Sequence, residues 1–263
     1  MKACIFASGS KGNVTYIEAN NHHILLDMGK NSKYITDSLK KINVDPKIID
    51  IVLISHLHSD HISALETFIK KYKPLVCMPE EMFLAVDNLS EYEHIKIYDD
   101  ELNFGDLKIY AIKSSHDAVA SRNFIFECDG HSIVQITDTG YIKSKYFKLL
   151  RNREIYFMES NHDVELLTHG PYPDWLKRRV LSDEGHLSNQ AAGFYLSKLI
   201  GDKTQKIYLM HLSEVNNDKN IALKTVNDTL KEYKIEFNDI KCAEQDNISE
   251  VIILWLEYYV LVK

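Results

Sequence analysis

The chain has 263 residues, a hydrophobic fraction of 45% and a formal net charge of −7 at pH 7. This length lies within the range of one α/β or sandwich domain with a large core. The acidic balance does not indicate a nucleic-acid binder that works by overall charge, but it does not exclude one, since bound divalent cations are often the largest local charges in a site. Its four cysteines show neither metal-type spacing nor a dense disulfide framework, so we expect reduced thiols and a cytoplasmic location.

The first thirty residues alternate apolar runs with small-residue loops, which predicts three strands. The runs are 3–7, 15–18 and 23–26. The loop after the first run, SGSKGN, lacks the Lys-Ser/Thr helix start of a P-loop, so a phosphate cradle of that kind is disfavoured. Asp27 follows the third run, where it can be a turn residue that ends a strand.

A dense group of metal-ligand side chains follows the next strand. After a predicted helix at 31–41, the β-branched run 51–54 is too short for a helix and fits a buried strand. Four N/O donors then come within six positions: His56, His58, Asp60 and His61. On an extended segment the first two project to one side, whereas the last two follow Ser59, a candidate turn or helix N-cap. One pair could hold one metal ion and the other pair a second.

Single polar residues come at the ends of later strands. The predicted elements are a helix at 63–72, strands at 75–78, 123–128, 131–137, 154–158 and 206–210, and a long strand or bent hairpin at 100–115. His116, Asp138 and His211 each follow one of them, and Asp129-Gly130 is a strong hairpin signal. A His or an Asp at a strand end is well placed to join the first group.

The second half of the chain also contains the segment ESNHD after its first strand, and then a Pro-containing stretch with a basic run. The run consists of Lys177, Arg178 and Arg179, and it is either a solvated helix face or a phosphate contact. Ser188 caps a predicted helix at 189–200. A helix at 218–233 and a closing strand within 235–243 follow.

An apolar, aromatic segment, VIILWLEYYVLVK, ends the sequence at 251–263. It is too short to span a bilayer and has Glu257 in its middle, and no apolar leader follows Met1. We therefore expect no membrane association and a single domain over 1–263. The tail is expected to form an extra strand, or a packing segment that could support a homodimer.

Eight motifs in order resemble the metallo-β-lactamase superfamily, and within it the WalJ (YycJ) group of bacterial DNA exonucleases. They are SGSKGN, LLDMG, SHLHSDHISALE, SSHDAVAS, ITDTGY, ESNHDVELL, LSDEGHLSN and MHLSEVNN, and the tail alone departs from the pattern. The resemblance implies an α/β (α+β) fold, a four-layer αβ/βα sandwich of two mixed sheets flanked by helices.

The resemblance also implies a dinuclear centre for Zn²⁺ or Mn²⁺. The expected ligands are His56, His58 and His116 for one ion, Asp60, His61 and His211 for the other, and Asp138 as the bridge. Asp27 would orient a ligand histidine from behind, or simply end its strand. Two such ions can hold a bridging hydroxide and stabilise both the attacking and the leaving oxygen of a phosphodiester.

The implied activity is hydrolysis of DNA by a 5′-to-3′ exonuclease with a role in DNA repair. The catalytic candidates are Asp60, His186 and His162, with the two histidines at the rim, where either could protonate the leaving oxygen or have only a structural role. The candidate substrate contacts are Lys177, Arg178, Arg179, Ser188 and Asn161. A thioesterase or glyoxalase II-like hydrolase of the same fold, and a non-enzymatic binding protein, are the alternatives.

Overall fold

The structure is a computed structural model that describes residues 1–86 and 89–254. The strands are β1 (Lys2–Ala7), β2 (Val14–Ala19), β3 (His22–Leu26), β4 (Ile51–Leu53), β5 (Leu75–Met78), β6 (Ile95–Ile97), β7 (Glu101–Phe104), β8 (Leu107–Lys113), β9 (Arg122–Cys128), β10 (His131–Ile136), β11 (Ile155–Glu159), β12 (Lys206–Met210), β13 (Ile240–Cys242) and β14 (Ile252–Ile253). The helices are α1 (Ser32–Lys41), α2 (Ser59–Ile62), α3 (Leu65–Tyr72), α4 (Glu80–Ala85), α5 (Phe147–Leu150), α6 (Val164–His169), α7 (Asp174–Val180), α8 (Asn189–Leu199) and α9 (Lys219–Glu232). Short 3-10 turns lie at Pro46–Ile48 and Ser144–Tyr146.

The strands form two mixed sheets. In the first sheet the order is β14-β1-β2-β3-β4-β5-β6, antiparallel from β14 to β3 and parallel from β3 to β6. In the second the order is β13-β12-β11-β10-β9-β8-β7, parallel from β13 to β10 and antiparallel from β10 to β7. The parallel strands of each sheet all point their carboxyl ends at one edge, and this edge carries the polar residues.

The hydrophobic core lies between the two sheets, and helices cover both outer faces. Along β11, Ile155 and Phe157 pack in the core between the sheets, whereas Tyr156 and Met158 pack beneath α5, α8 and α9. On the first sheet, α1, α3 and α4 cover the outer face in the same way. Strands covered on both faces read as continuous apolar runs, which is why the sequence predicts them so clearly. The predicted four-layer sandwich is confirmed.

Side-chain caps fix where several helices begin. Asn31 accepts a hydrogen bond from the backbone N–H of Tyr34 at the start of α1, and Ser188 accepts one from Ala191 at the start of α8. Such caps satisfy backbone donors that the first helical turn leaves without partners. The predicted hairpin at 100–115 consists of β7 and β8, joined by a turn at Gly105 with a φ of 61°.

The start of the apolar tail extends the first sheet. Ile252 and Ile253 form β14, which pairs antiparallel with β1. The rest of the tail, 255–263, lies outside the described residues, and so does its predicted packing or dimer role. Of the helices in the described ranges, none is long and apolar enough to cross a membrane.

Candidate metal centre

Three site residues lie within two residues of a strand end in left-handed backbone conformations. Asp27, Asp138 and His211 come at the ends of β3, β10 and β12, with φ values of 62°, 55° and 57°. Non-glycine residues rarely adopt this conformation, and it persists only where the surroundings hold it in place. These turns keep the three polar side chains at the shared edge of the two sheets.

The first ligand group consists of three imidazoles. His56 and His58 lie on the extended segment between β4 and α2, and His116 follows β8. His58 Nδ1 lies 3.1 Å from His56 Nε2 and 3.2 Å from His116 Nε2. Ring nitrogens this close can share one cation. His58 is itself the N-cap residue of α2, so the helix begins at Ser59, one residue earlier than a Ser59 cap predicts.

The second ligand group lies beside the first. Asp60 Oδ2 is 3.5 Å from His61 Nε2 and 3.6 Å from His211 Nε2. Asp138 lies between the groups, because its carboxylate oxygens are 3.3 Å from His61 Nε2, 3.5 Å from His211 Nε2 and 4.0 Å from His116 Nε2. The structure therefore brings all seven predicted ligands into one cluster.

The cluster fits divalent metal ions. Asp138 Oδ2 and His211 Nε2 are buried and have no hydrogen-bond partner in the described part of the chain. Buried polar atoms nearly always have a partner, so these two atoms need a ligand. Imidazole and carboxylate donors suit Zn²⁺ and Mn²⁺. Burial lowers the pKa of His56 and of His58, which favours the neutral imidazole that a metal requires. Burial also opposes protonation of His61 and His211, but the carboxylates that face them, Asp138 among them, raise the pKa of both, so metal binding there has to displace a proton.

The carboxylate of Asp27 supports one ligand histidine from behind. Asp27 is fully buried, accepts hydrogen bonds from the backbone N–H and the hydroxyl of Ser55, both at 2.8 Å, and lies 2.8 Å from His61 Nδ1. A partner on the second ring nitrogen fixes the orientation and tautomer of a metal-binding histidine. The contact exists in the structure, and the orienting role stays a prediction.

Glu159, at the end of β11, is a site residue that sequence analysis missed. It is fully buried, and its Oε1 lies 2.7 Å from His186 Nδ1 and 3.5 Å from His211 Nδ1. Its Oε2 accepts hydrogen bonds from the backbone N–H groups of Thr139 and Leu187. Burial opposes its ionisation, but the His186 ring, followed by the His211 ring, lowers the pKa of Glu159 to about 2. The sequence did contain a signal for Glu159, because it is a single acidic residue at the end of an apolar strand.

A cleft of about 260 Å³ opens over the cluster. It is lined by Ser10, His58, Ser59, Asp60, His116, Asp138, Arg179, His186 and His211. His186 thus lies at the rim, as predicted. A larger depression of about 470 Å³ lies around Met1, Glu18 and His131, but none of the ligand groups borders it. The cleft is therefore the candidate reaction site.

His162 does not lie at the rim, so its predicted position is wrong. Its side chain is buried, and burial lowers its pKa to about 4. The segment around it pairs with the stretch before α8, because Asn161 N donates to Leu187 O and Asn189 N donates to His162 O. Because of this backbone pairing, the His162 side chain lies in the protein interior and not at the cleft.

The predicted substrate contacts divide into two sets. Arg179 lines the cleft and forms a two-pronged ion pair with Asp117, with Nε–Oδ2 and Nη2–Oδ1 distances of 2.5 and 2.9 Å. Lys177 and Arg178 lie on the same helix, α7. Against the prediction, the structure does not bring two further side chains to the cleft. Asn161 is buried and donates to His211 O, and Ser188 caps α8.

Comparison with known proteins places the chain in a family. Residues 7–101 match the Metallo-beta-lactamase superfamily. Exodeoxyribonuclease WalJ of Streptococcus pneumoniae is 40% identical over 232 residues, which cover 86% of each chain. Exodeoxyribonuclease YycJ of Bacillus anthracis is 34% identical over 233 residues, 87% of this chain and 88% of the relative. The chain belongs to the WalJ/YycJ family. The resemblance found in the sequence is thereby confirmed.

Solved structures share the fold of this WalJ/YycJ family member at low sequence identity. The metallo-beta-lactamase fold protein YhfI from Bacillus subtilis superposes with a TM-score of 0.71 at 16% identity, covering 95% of this chain and 99% of its own. The short form of human tRNase Z gives a TM-score of 0.65 at 14% identity, covering 96% and 100%. These likenesses establish the architecture, and the site has to be argued from its residues.

Proposed function

We propose that this member of the WalJ/YycJ family is a metal-dependent exodeoxyribonuclease that hydrolyses DNA from the 5′ end, in the cytoplasm and in the service of DNA repair. The curated relatives are named as exodeoxyribonucleases, and the chain aligns with them over most of its length. The observation that carries the proposal is the cluster of seven metal-ligand side chains beneath a cleft bordered by Arg179. Together these support phosphodiester hydrolysis.

Two divalent ions, Zn²⁺ or Mn²⁺, are the proposed cofactors. His56, His58 and His116 would hold one ion, and Asp60, His61 and His211 the other, with Asp138 in reach of both groups. When bound, such ions supply Lewis acidity and a water-derived nucleophile at neutral pH. Asn13 Nδ2 donates to Asp60 Oδ2 at 3.2 Å and so helps to fix this carboxylate.

His186 is the proposed proton donor to the leaving oxygen. Its Nδ1 lies 2.7 Å from the Glu159 carboxylate, and its ring borders the cleft. This contact orients the ring and leaves Nε2 as the nitrogen available to substrate. A histidine placed in this way can hold a proton on Nε2 until the departing alkoxide takes it. Glu159 acts through His186 and is a positioning residue.

Arg179 is the proposed contact for a substrate phosphate. Its guanidinium borders the cleft and is held by Asp117. Arginine presents several donors in a planar fork that matches phosphate geometry. Lys177 and Arg178 lie within the same helical turn and can contact neighbouring phosphates. Such contacts position DNA without reading its sequence.

The proposed activity predicts metal-dependent release of nucleotides from labelled DNA. We expect Mn²⁺- or Zn²⁺-loaded protein to release mononucleotides first from the 5′ end, and a chelator to stop the release, because the ligand cluster is then empty. Denaturing gels of 5′- and 3′-labelled single strands and duplexes measure this directly. If the protein hydrolysed an acyl thioester and released no nucleotides from DNA, the nuclease proposal would be wrong and the thioesterase alternative would be supported.

The basic residues of α7 predict a salt-dependent contribution to DNA binding. Replacing both Lys177 and Arg178 by Ala should reduce the slope of log K against log salt by about 1.4 to 1.8, because each phosphate contact contributes about 0.7 to 0.9. Fluorescence anisotropy across a salt series measures the slope. The matched control replaces Lys40 and Lys41, the basic pair in the last turn of α1. If the slope of the Lys177/Arg178 variant were unchanged, these two residues would form a solvated helix face and would not contact DNA.

A further inference from the structure

One carboxylate lies between the first ligand group and the arginine that borders the cleft. Asp117 follows His116 in the chain, and its Oδ1 lies 3.8 Å from His58 Nε2. The same oxygen accepts a hydrogen bond of 2.9 Å from Arg179 Nη2, and Oδ2 accepts one of 2.5 Å from Arg179 Nε. A single side chain therefore lies beside both a metal ligand and the proposed phosphate contact.

His58 needs a partner on its outer ring nitrogen, as the other ligand histidines have. Their partners are Ser55 for His56, Asp27 for His61, the carbonyl of Glu184 for His116 and Glu159 for His211. His58 faces the other imidazoles with Nδ1, so Nε2 is its outer nitrogen, and Asp117 lies beside it. A negative charge there favours the tautomer with the proton on Nε2, which leaves Nδ1 free to bind metal.

The charge of Asp117 also suits the first ligand group. This group consists of three imidazoles, which are neutral when they bind metal, whereas the second group has its own carboxylate, Asp60. Asp117 Oδ1 lies 3.6 Å from His116 Nε2, a nitrogen that faces the group. None of the candidate ligand sets in the described part of the chain includes Asp117, so its carboxylate supports the group from outside.

Arg179 balances the charge of this carboxylate beside the cleft. The Asp117 side chain is 30% exposed, and without a partner its charge would repel a substrate phosphate. The guanidinium binds it through Nε and Nη2, while Nη1 has no hydrogen-bond partner among the described residues. The ion pair thus allows a negative charge to lie next to the metal ligands and still leaves donors for a phosphate.

We propose that Asp117 is a positioning residue for the first metal ion, which orients His58 and supplies negative charge to a neutral ligand group, while Arg179 shields this charge from the substrate. The proposal rests on the ligand cluster and, for the substrate, on the nuclease function proposed above. It requires the two partners of one ion pair to act differently on metal binding. Loss of the carboxylate removes a charge that favours the ion, whereas loss of the guanidinium removes a charge that opposes it.

Competition with a chromophoric chelator for Zn²⁺ tests the effect on metal binding. Asp117→Asn should weaken the binding of one of the two Zn²⁺ ions by about tenfold or more, as for other partners of metal-binding histidines. Arg179→Ala should leave Zn²⁺ binding unchanged or make it tighter, because the carboxylate remains and the nearby cation is gone. An ion pair that only docks α7 would make both variants lose affinity alike.

The matched control for the metal measurement is Asp50→Asn. Asp50 also pairs with a histidine, His22, but it lies just before β4, at the opposite end of that strand from His56. Its replacement makes the same chemical change away from the cluster, so Zn²⁺ affinity should stay at the parent level.

DNA binding by Zn²⁺-saturated protein tests the shielding by Arg179. The probe is a short fluorescent DNA strand with a 5′ phosphate and phosphorothioate links, which slow cleavage, and anisotropy measures its affinity. Arg179→Ala should weaken binding about 10- to 100-fold, the effect of losing a charged hydrogen bond. Adding Asp117→Asn to this variant should recover about two- to fivefold, because the uncovered charge is removed. Without any recovery, Arg179 would not shield Asp117 and that part of the proposal would be wrong.

The outcomes separate this proposal from the proposed function. Parent-level Zn²⁺ affinity in Asp117→Asn, or an equal loss in Arg179→Ala, would overturn the positioning role of Asp117. Release of nucleotides from DNA by the parent protein would leave the nuclease function standing in either case. The predicted Zn²⁺ affinities in a protein that releases no nucleotides would support the role of Asp117 and reject the nuclease function.

Discussion

Asp138→Asn should abolish hydrolysis and lower metal content while leaving the fold intact. The carboxylate has three ligand histidines within 4.0 Å, and an amide of the same shape removes the charge that holds them around metal ions. We expect kcat to fall by more than about 100-fold, since changes in groups that merely support metal ligands already reduce activity by about 10- to 100-fold. Metal analysis after dialysis should find fewer ions per chain than in the parent protein.

The matched control for this variant is Asp129→Asn. Asp129 lies in the β9–β10 hairpin turn and also has a positive φ, which Asn tolerates. The chemical change is the same, but the residue is outside the cluster, so activity and metal content should stay at the parent level. Circular dichroism should show similar unfolding for both variants. Full activity of Asp138→Asn would contradict the proposal that Asp138 is a ligand shared by the two metal ions.

Glu159→Gln should lower kcat by about 100-fold or more with little change in KM. The amide can still accept hydrogen bonds from the backbone N–H groups of Thr139 and Leu187, but it removes the charge that faces His186. Loss of a positioned proton donor reduces rates by about 10² to 10⁴. Stability should fall by about 1–3 kcal/mol, the range for an imperfectly paired buried group, as measured by urea unfolding.

Glu154→Gln provides a structural control for Glu159. Glu154 is also a largely buried carboxylate, and it accepts hydrogen bonds from the His131 ring and the backbone N–H of Ser132 just before β11 begins. Its replacement should cause a similar loss of stability and no loss of kcat, because it lies at the other end of β11. If both variants lost activity in proportion to stability, Glu159 would have no role beyond holding the fold.

The metal ligands could be predicted from sequence because each lies in a local pattern that limits its position. His56, His58, Asp60 and His61 follow a short buried strand within six residues, and the chain has no freedom to separate them. His116, Asp138 and His211 each follow a strand, and the family pattern implied that these strand ends meet. These strand ends meet in the structure because the two sheets face each other. Packing the sheets in this way is favourable because the strands of both sheets are continuous apolar runs.

The roles of the segment around Asn161 and His162 could not be read from the sequence. Their side chains are polar and follow a strand end, as the ligands do, so the same reasoning placed them at the cleft. The structure turns them inward because their backbone pairs with the stretch around Leu187. A pairing between segments some 26 residues apart leaves no periodic signal in either of them.

The sequence by itself determined the strands, their ends and the chemical character of the cluster, because hydrophobic period and ligand type are local properties, and the layers followed from the family resemblance. Only the tertiary structure decided which polar groups face the ligands. Asp27 behind His61, Glu159 behind His186 and Asp117 beside Arg179 are contacts between residues 27 to 62 positions apart. Each such buried or half-buried charge is tolerable only with its partner in place, and that partner is fixed by packing.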